Sequence, residues 1–209
     1  MSAKSKAGTT RNNAKADPQG RYEYRVWGDH REARKLLRKL AESETREEVE
    51  DCYLLVDDPR FNAKIRDNTL KVKELVDERK GFEQWTRDKH ESNKSIPAPL
   101  DDLFEDIDLK RLRKKKKFDI VDAIDGLDPD DGVRPMFVTK RRRRYVVGNL
   151  RAEVTDIDIA ETDETLRTIS IEGDDLDELK KLRKVLGLKG ENNTPVHQAI
   201  DPEFDIDLT

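Results

Sequence analysis

The chain has 209 residues, 34% of them hydrophobic and 42% charged, with 42 Lys and Arg against 46 Asp and Glu for a net charge of -4. That length suits one domain of ordinary size with tails, since single cores span roughly 100 to 200 residues, and with so few apolar residues each element must gather them on one face. Near-balance of charge excludes a protein that coats nucleic acid through its overall charge; a single cysteine, Cys52, excludes an internal disulfide framework; and no apolar run approaches the ~20 residues of a membrane span.

Residues 1–20 are small, polar and basic without an apolar segment, so they read as a tail and not as a secretory signal, and a soluble, cytoplasmic protein is expected. In residues 21–27, RYEYRVW, Tyr22, Tyr24 and Val26 alternate with Arg21, Glu23 and Arg25, the period of a strand. Residues 30–41 repeat Ala33, Leu36, Leu37 and Leu40 at helical spacing, with Asp29 as the expected N-cap. A second strand is expected over 49–56, VEDCYLLV, closed by the turn Asp57, Asp58, Pro59. Two short runs around Asp67 and Asn68 predict a hairpin over 61–76. Phe82 and Trp85, three apart, predict a short helix over 80–93.

Between residues 94 and 135 the pattern weakens into prolines, acids, a KRLRKKKK block and a turn-rich stretch, read as an insertion with one helix over 100–117. The basic block is open to two readings, a targeting or nucleic-acid patch and a solvated helix face. Three strands follow, over 136–147, 150–159 and 166–172. Asp175 with Glu178 makes a capping box for a helix striped by Leu176, Leu179, Leu182 and Leu186 and stopped by Gly187. Residues 189–209 show no apolar period and read as a docked or mobile tail. The class is α+β: an antiparallel β-barrel or sheet of about eight strands with flanking helices.

Ions recur at period two on these strands: Glu23 with Arg25, Lys64 with Arg66, Lys71 with Lys73, Lys140 with Arg142 and Arg144, Arg151 with Glu153, and Glu172. A sheet with one wet face explains the pattern in part. Like charges on neighbouring strands repel, however, so this many Lys and Arg on one face call for a counter-charge such as a bound anion. In a closed barrel they line the lumen, where a polyphosphate is the matching ligand and carboxylates at one side suit a hard cation. His30, His90 and His197 follow no metal-ligand spacing.

The order of these stretches resembles the CYTH superfamily of triphosphate tunnel metalloenzymes, which includes thiamine triphosphatases, inorganic triphosphatases and class IV adenylyl cyclases. Over residues 21–188, RYEYR stands at the opening E-x-E-x-K, DCYLL at the second strand, NAKIR and LKVK at the paired basic strands, TKRRR at K-x-R, RAEV at the late acidic strand and ISIEG at the closing E-x-E. The resemblance implies a tunnel domain with Arg25, Lys64, Arg66, Lys71, Lys73, Lys140, Arg142 and Arg144 on the phosphates. It implies Glu23, Glu153 and Glu172 on a Mg²⁺ or Mn²⁺ ion, with a triphosphate or nucleotide as ligand. Arg21 and Ser170 stand where the family carries metal-binding glutamates, and a cation at position 21 can neutralise phosphate without metal. Metal-assisted hydrolysis, cyclisation and a catalytically silent binding module all remain open. A nucleic-acid partner is not expected for a chain of net negative charge.

Overall fold

The computed structural model of the chain describes residues 19–67, 69–86, 132–162 and 164–201. Its strands are β1 (Gln19–Trp27), β2 (Ser43–Val56), β3 (Phe61–Arg66), β4 (Thr69–Arg79), β5 (Phe82–Thr86), β6 (Val133–Val147), β7 (Leu150–Ile159) and β8 (Glu164–Gly173), with helices α1 (Arg31–Leu40), α2 (Leu176–Val185) and α3 (Val196–Ala199). They form a closed barrel in the order β1-β5-β4-β3-β2-β6-β7-β8. Two antiparallel meanders, β2 to β5 and β6 to β8, are joined by the ladder of β2 on β6, which runs from Ser43 opposite Val146 to Val56 opposite Val133. β1 closes the ring between β5 and β8. The α+β barrel read from the sequence is thus the observed fold.

Alternation divides each strand between two environments. On the outer face, Tyr24, Val26, Phe82, Tyr145, Ala152, Val154, Ile169 and Ile171 form a cluster with Ala33 and Leu37 of α1 and Leu179, Leu182 and Leu186 at α2. The Asp175 carboxylate accepts the backbone N–H groups of Asp177 and Glu178 to start α2. Gly187, at φ 72°, ends it: its N–H reaches Lys184 O, and Leu188 N reaches Arg183 O, both at 3.1 Å. A side chain at Gly173 would put its Cβ 2.4 Å from Leu150 Cδ2, so the Leu150 side chain packs over β8 in the space a Cβ would take.

A second apolar cluster fills one end of the barrel. Trp27, Tyr53, Leu55, Met136, Val138, Ile157 and Ile159 point inward there from β1, β2, β6 and β7, and Val196, Ala199 and Ile200 pack into them. The incoming segment is also tied by hydrogen bonds. Arg25 N donates to Asn193 Oδ1 at 2.7 Å, Thr194 N to Arg25 O at 3.0 Å, and Trp27 Nε1 to Thr194 O at 2.8 Å. Arg134 pairs with Asp201 at 2.9 Å. These bonds occupy the part of β1 beyond Glu23, where β5 no longer pairs with it. The chain that reads as a tail is therefore, over 193–201, part of the barrel wall and its stopper.

Four local readings change. The helix expected over 80–93 is replaced, in its described part, by β5. Spaced three apart in a strand, Phe82 and Trp85 face opposite sides, Phe82 outward beside Tyr24 at 5.3 Å between centroids and Trp85 edge-on to His197 at 5.5 Å. Asp29 does not cap α1; His30 is the N-cap and makes no side-chain cap bond, while Asp29 is taken by Arg34, Arg31 and Arg167. β2 starts at Ser43, six residues before Val49. β6 starts at Val133, inside the segment read as an insertion, and Pro135 is tolerated because β7 pairs with β6 only from Val138 onward. The helix expected over 100–117, the KRLRKKKK block and His90 lie outside the described residues. Among the described residues no helix is long and apolar enough to cross a membrane.

Candidate functional site

The inner face of the barrel encloses a cavity of about 560 Å³. All eleven residues singled out in the sequence line it: Glu23 and Arg25 from β1, Lys64 and Arg66 from β3, Lys71 and Lys73 from β4, Lys140, Arg142 and Arg144 from β6, Glu153 from β7 and Glu172 from β8. With Arg151 and Glu83, nine cations face four carboxylates among the described lining residues. Strand pairing sets this density, since Lys64 lies opposite Lys71 and Arg144 opposite Glu153.

Exposure grades from one end of the barrel to the other. The side chain of Asp51 is 0% exposed and that of Lys140 5%, those of Arg142 and Glu153 14%, and those of Arg144 and Arg151 46% and 61%. The Lys140 end abuts the apolar stopper, and Tyr53, Ile157, Pro195 and Val196 form the floor. The cavity is blind at this end and wet at the other.

At the deep end Asp51 gathers three cations. Arg66 binds it through Nε at 2.5 Å and Nη2 at 2.6 Å, Lys140 Nζ lies at 3.1 Å and Lys64 Nζ at 3.4 Å. Lys140 also donates to the Tyr53 hydroxyl and stands 4.4 Å over the Tyr53 ring. Burial would raise the Asp51 carboxyl, but Arg66, Lys64 and Lys140 outweigh it and hold the group well below the usual range. Burial, reinforced by Arg66 and Lys73 against the pull of Asp51, brings Lys64 down to about 8. Burial and the neighbouring Lys64 push Lys140 well below the ordinary lysine range.

The middle belt is built around Glu153. Arg142 binds it through Nη2, Arg144 Nε lies at 3.7 Å, Arg25 Nη2 at 3.9 Å, and Thr155 Oγ1 donates at 2.6 Å. Burial raises this carboxyl, yet Arg142 and Arg25 dominate and hold it at about 2. Arg142 and Arg144 also reach Glu47, at 2.5 and 2.6 Å. Glu23 pairs with Lys73 at 2.9 Å; Glu172 takes Arg21 at 3.3 Å and Arg151 at 3.6 Å. Each of the three glutamates expected to hold a metal is thus engaged by cations. Among the described residues no three His, Cys, Asp or Glu side chains come together as a metal site. As arranged, this donor set does not fit a divalent cation.

Four contributors were missed in the sequence. Asp51 lies in the expected strand, where a carboxylate inside an apolar run was itself the signal. Tyr53 shares its inward face. Glu47 sits in the polar half of β2 that has no strand pattern. Glu83 was assigned to a helix; burial, with Glu23 and Glu78 nearby, raises its carboxyl to about 7, and Trp85 Nε1 donates to it at 3.2 Å.

No protein-family model and no curated protein sequence matches the chain. Among solved structures it is similar to a candidate adenylate cyclase from Bacillus halodurans, with 11% identity over 88% of this chain and 100% of that one and a TM-score of 0.51. It is also similar to the PH1012 protein from Pyrococcus horikoshii OT3, with 21% identity over 84% of this chain and 94% of that one and a TM-score of 0.44. A conserved hypothetical protein from Pyrococcus furiosus matches at 22% identity over 85% and 95%, with a TM-score of 0.43. At 11% identity the first of these likenesses is one of fold alone, in keeping with the closed eight-stranded antiparallel barrel of this chain.

Proposed function

We propose that the cavity binds a linear triphosphate, inorganic or carried by a nucleoside or other organic group, through its lysines and arginines. The observation that carries this reading is the convergence of nine Lys and Arg side chains, against six carboxylates counting Asp51 and Glu47, on one cavity closed at one end. Guanidinium and ammonium groups in a water-poor space gain most from an anion with several oxygens, because each oxygen takes a charge-assisted bond and the mutual repulsion of the cations falls. Asp51 and Glu153 hold Arg66 and Arg142 in fixed orientations, so little ordering remains to be done on binding.

Mg²⁺ or Mn²⁺ is the cofactor that the sequence resemblance implies. With Glu23, Glu153 and Glu172 each tied to Lys or Arg, charge neutralisation falls instead to Arg25, Arg142 and Arg144, and no step is assigned to a metal. A second reading, cleavage of a phosphoanhydride, is favoured by Glu83. A carboxylate near 7 facing the cavity is suited to take a proton from an attacking hydroxyl or water, whereas Glu153, held at about 2, is a weak base.

Calorimetric titration with tripolyphosphate, ATP, GTP and thiamine triphosphate, in Mg²⁺, Mn²⁺ or EDTA, tests both readings. Tripolyphosphate is expected to bind in EDTA, with Arg142→Ala weakening it at least about tenfold, roughly 1.4 kcal/mol. A folded protein that binds none of the four overturns the proposal. Phosphate or pyrophosphate release that is lost in Glu83→Gln, with binding retained, would establish the second reading and separate hydrolysis from cyclisation by its product.

A further inference from the structure

The lysine at the floor of the cavity differs from the other cations that line it. Lys140 is 4% exposed, lies opposite Ile157 on β7, and stands where the lining turns apolar at Ile157 and Val196. Charge at this floor is in surplus. Lys140 Nζ is 3.1 Å and Lys64 Nζ 3.4 Å from Asp51, whose two oxygens already accept Arg66. Three basic groups thus share one carboxylate, and Arg25 of β1 adds its field to theirs. Guanidinium groups keep their protons, so a lysine relieves the surplus by losing one. Lys140 is that lysine, since its side chain is 5% exposed against 19% for Lys64, and burial together with Lys64 holds it well below the ordinary range.

An amine without its proton, walled into a cavity beside a second cation, is a nucleophile. The groups around it suit one reaction, condensation with a carbonyl. Lys140 Nζ is hydrogen-bonded to the Tyr53 hydroxyl, which both donates and accepts and so can relay a proton. Asp51, at 3.1 Å, is in place as counter-charge to a protonated imine, which keeps the position and sign of the ammonium it replaces. Arg142 stands two residues along the same face of β6, roughly 6.6 Å away at ~3.3 Å per residue, and Arg25 joins it in that belt to hold an anionic group. Among the described residues, the charged groups facing Lys140 are Asp51 on β2, Lys64 and Arg66 on β3 and Arg25 on β1, while β7 presents Ile157 and the incoming segment Val196. That apolar pair, of no use to a phosphate, receives a carbon skeleton.

We infer that Lys140 is a covalent site, at which small aldehydes or ketones carrying a phosphate or carboxylate condense with its amine. The Nζ lone pair attacks the carbonyl carbon, the C=O pair moves to oxygen, and a proton passes from nitrogen to that oxygen through Tyr53. The nitrogen pair then forms C=N as the hydroxyl takes a second proton and leaves. One C=N bond is made, one water is released, and nothing is oxidised or reduced. The imine nitrogen takes up a proton beside Asp51. This activity goes beyond triphosphate binding and does not depend on it.

The test uses three probes on the full chain: pyridoxal 5′-phosphate and glyoxylate, which carry an anion, and pyridoxal, which carries none. Each is incubated with the protein from neutral to alkaline pH, the imines are fixed with borohydride, and the modified lysines are located by peptide mass spectrometry. At neutral pH the two anionic probes are expected to modify Lys140 about tenfold faster than any other lysine, and pyridoxal to do so about tenfold more slowly than its phosphate. The rate at Lys140 should level off at a lower pH than that of Nα-acetyl-lysine, and Lys64→Gln should move this profile upward, a shift that a purely structural role for Lys64 does not produce. Lys140→Arg keeps the charge and should lose the adduct, with folding checked by circular dichroism. Modification spread evenly over surface lysines, or a Lys140 profile matching that of Nα-acetyl-lysine, overturns the assignment, and the wild-type map alone decides this if either variant fails to fold.

Discussion

Asp51 is the residue on which the deep end of the cavity turns. Its side chain has no exposed surface and accepts Arg66 while lying within 3.4 Å of Lys64 and Lys140. Removing one partner of a buried ion cluster leaves the others uncompensated, which costs about 3 to 5 kcal/mol. Asp51→Ala is therefore expected to lower the urea midpoint strongly, and tripolyphosphate is expected to raise the melting temperature of this variant more than that of the wild type, because a bound anion replaces the lost carboxylate. An equal shift in both proteins would separate the cluster from the ligand. Period-two spacing made the inward cations visible in the sequence, because a strand carries alternate side chains to one face whatever they are. It could not reveal that Glu23, Glu153 and Glu172 would be held by Lys73, Arg142, Arg21 and Arg151, since those pairings depend on register across the ring.

Among the elements, legibility followed burial. The half of β2 that packs, around Cys52 to Leu55, announces itself as an apolar run, whereas its first half, SETREE, is mostly exposed and is a strand only because β6 supplies the ladder. β5 has no alternation at all, since Phe82, Gln84 and Trp85 are all buried, and the spacing of two aromatics imitates a helix. α2 was legible from both ends because its stop and start are local chemistry. Its cap gives a direct measure: Asp175→Ala removes the acceptor for two backbone N–H groups and is expected to destabilise the protein by about 1 kcal/mol, with Asp175→Asn close to wild type. Thermal denaturation of the pair checks this, and equal loss in both would assign the effect to the charge at the helix start.

For the whole molecule, closure depends on a segment that the sequence did not connect to the barrel. His197 is buried in it, beside Trp85 and Pro59, and burial lowers its pKa to about 4. The neutral ring is the folded form, so the unfolded chain binds the extra proton between these values. The stability attached to this group is complete above about pH 6.5, is lost as pH falls toward 4, and amounts to about 3 kcal/mol at the acid limit. Urea midpoints followed by tryptophan fluorescence should fall more steeply from pH 6.5 to 4 in wild type than in His197→Gln. Parallel slopes would place the acid sensitivity elsewhere.

The ring order also has a consequence for synthesis. β1 emerges first, yet its neighbours are β5, which ends at Thr86, and β8, which ends at Gly173. At the 5 to 20 residues per second of translation, about 7 to 30 seconds separate its appearance from that of its last partner. Through that interval the β8-facing edge of a strand rich in tyrosine and tryptophan lacks its partner beside the ribosome, a target for chaperones and for neighbouring nascent chains. The last ladder the ring can complete is then that of β1 on β8.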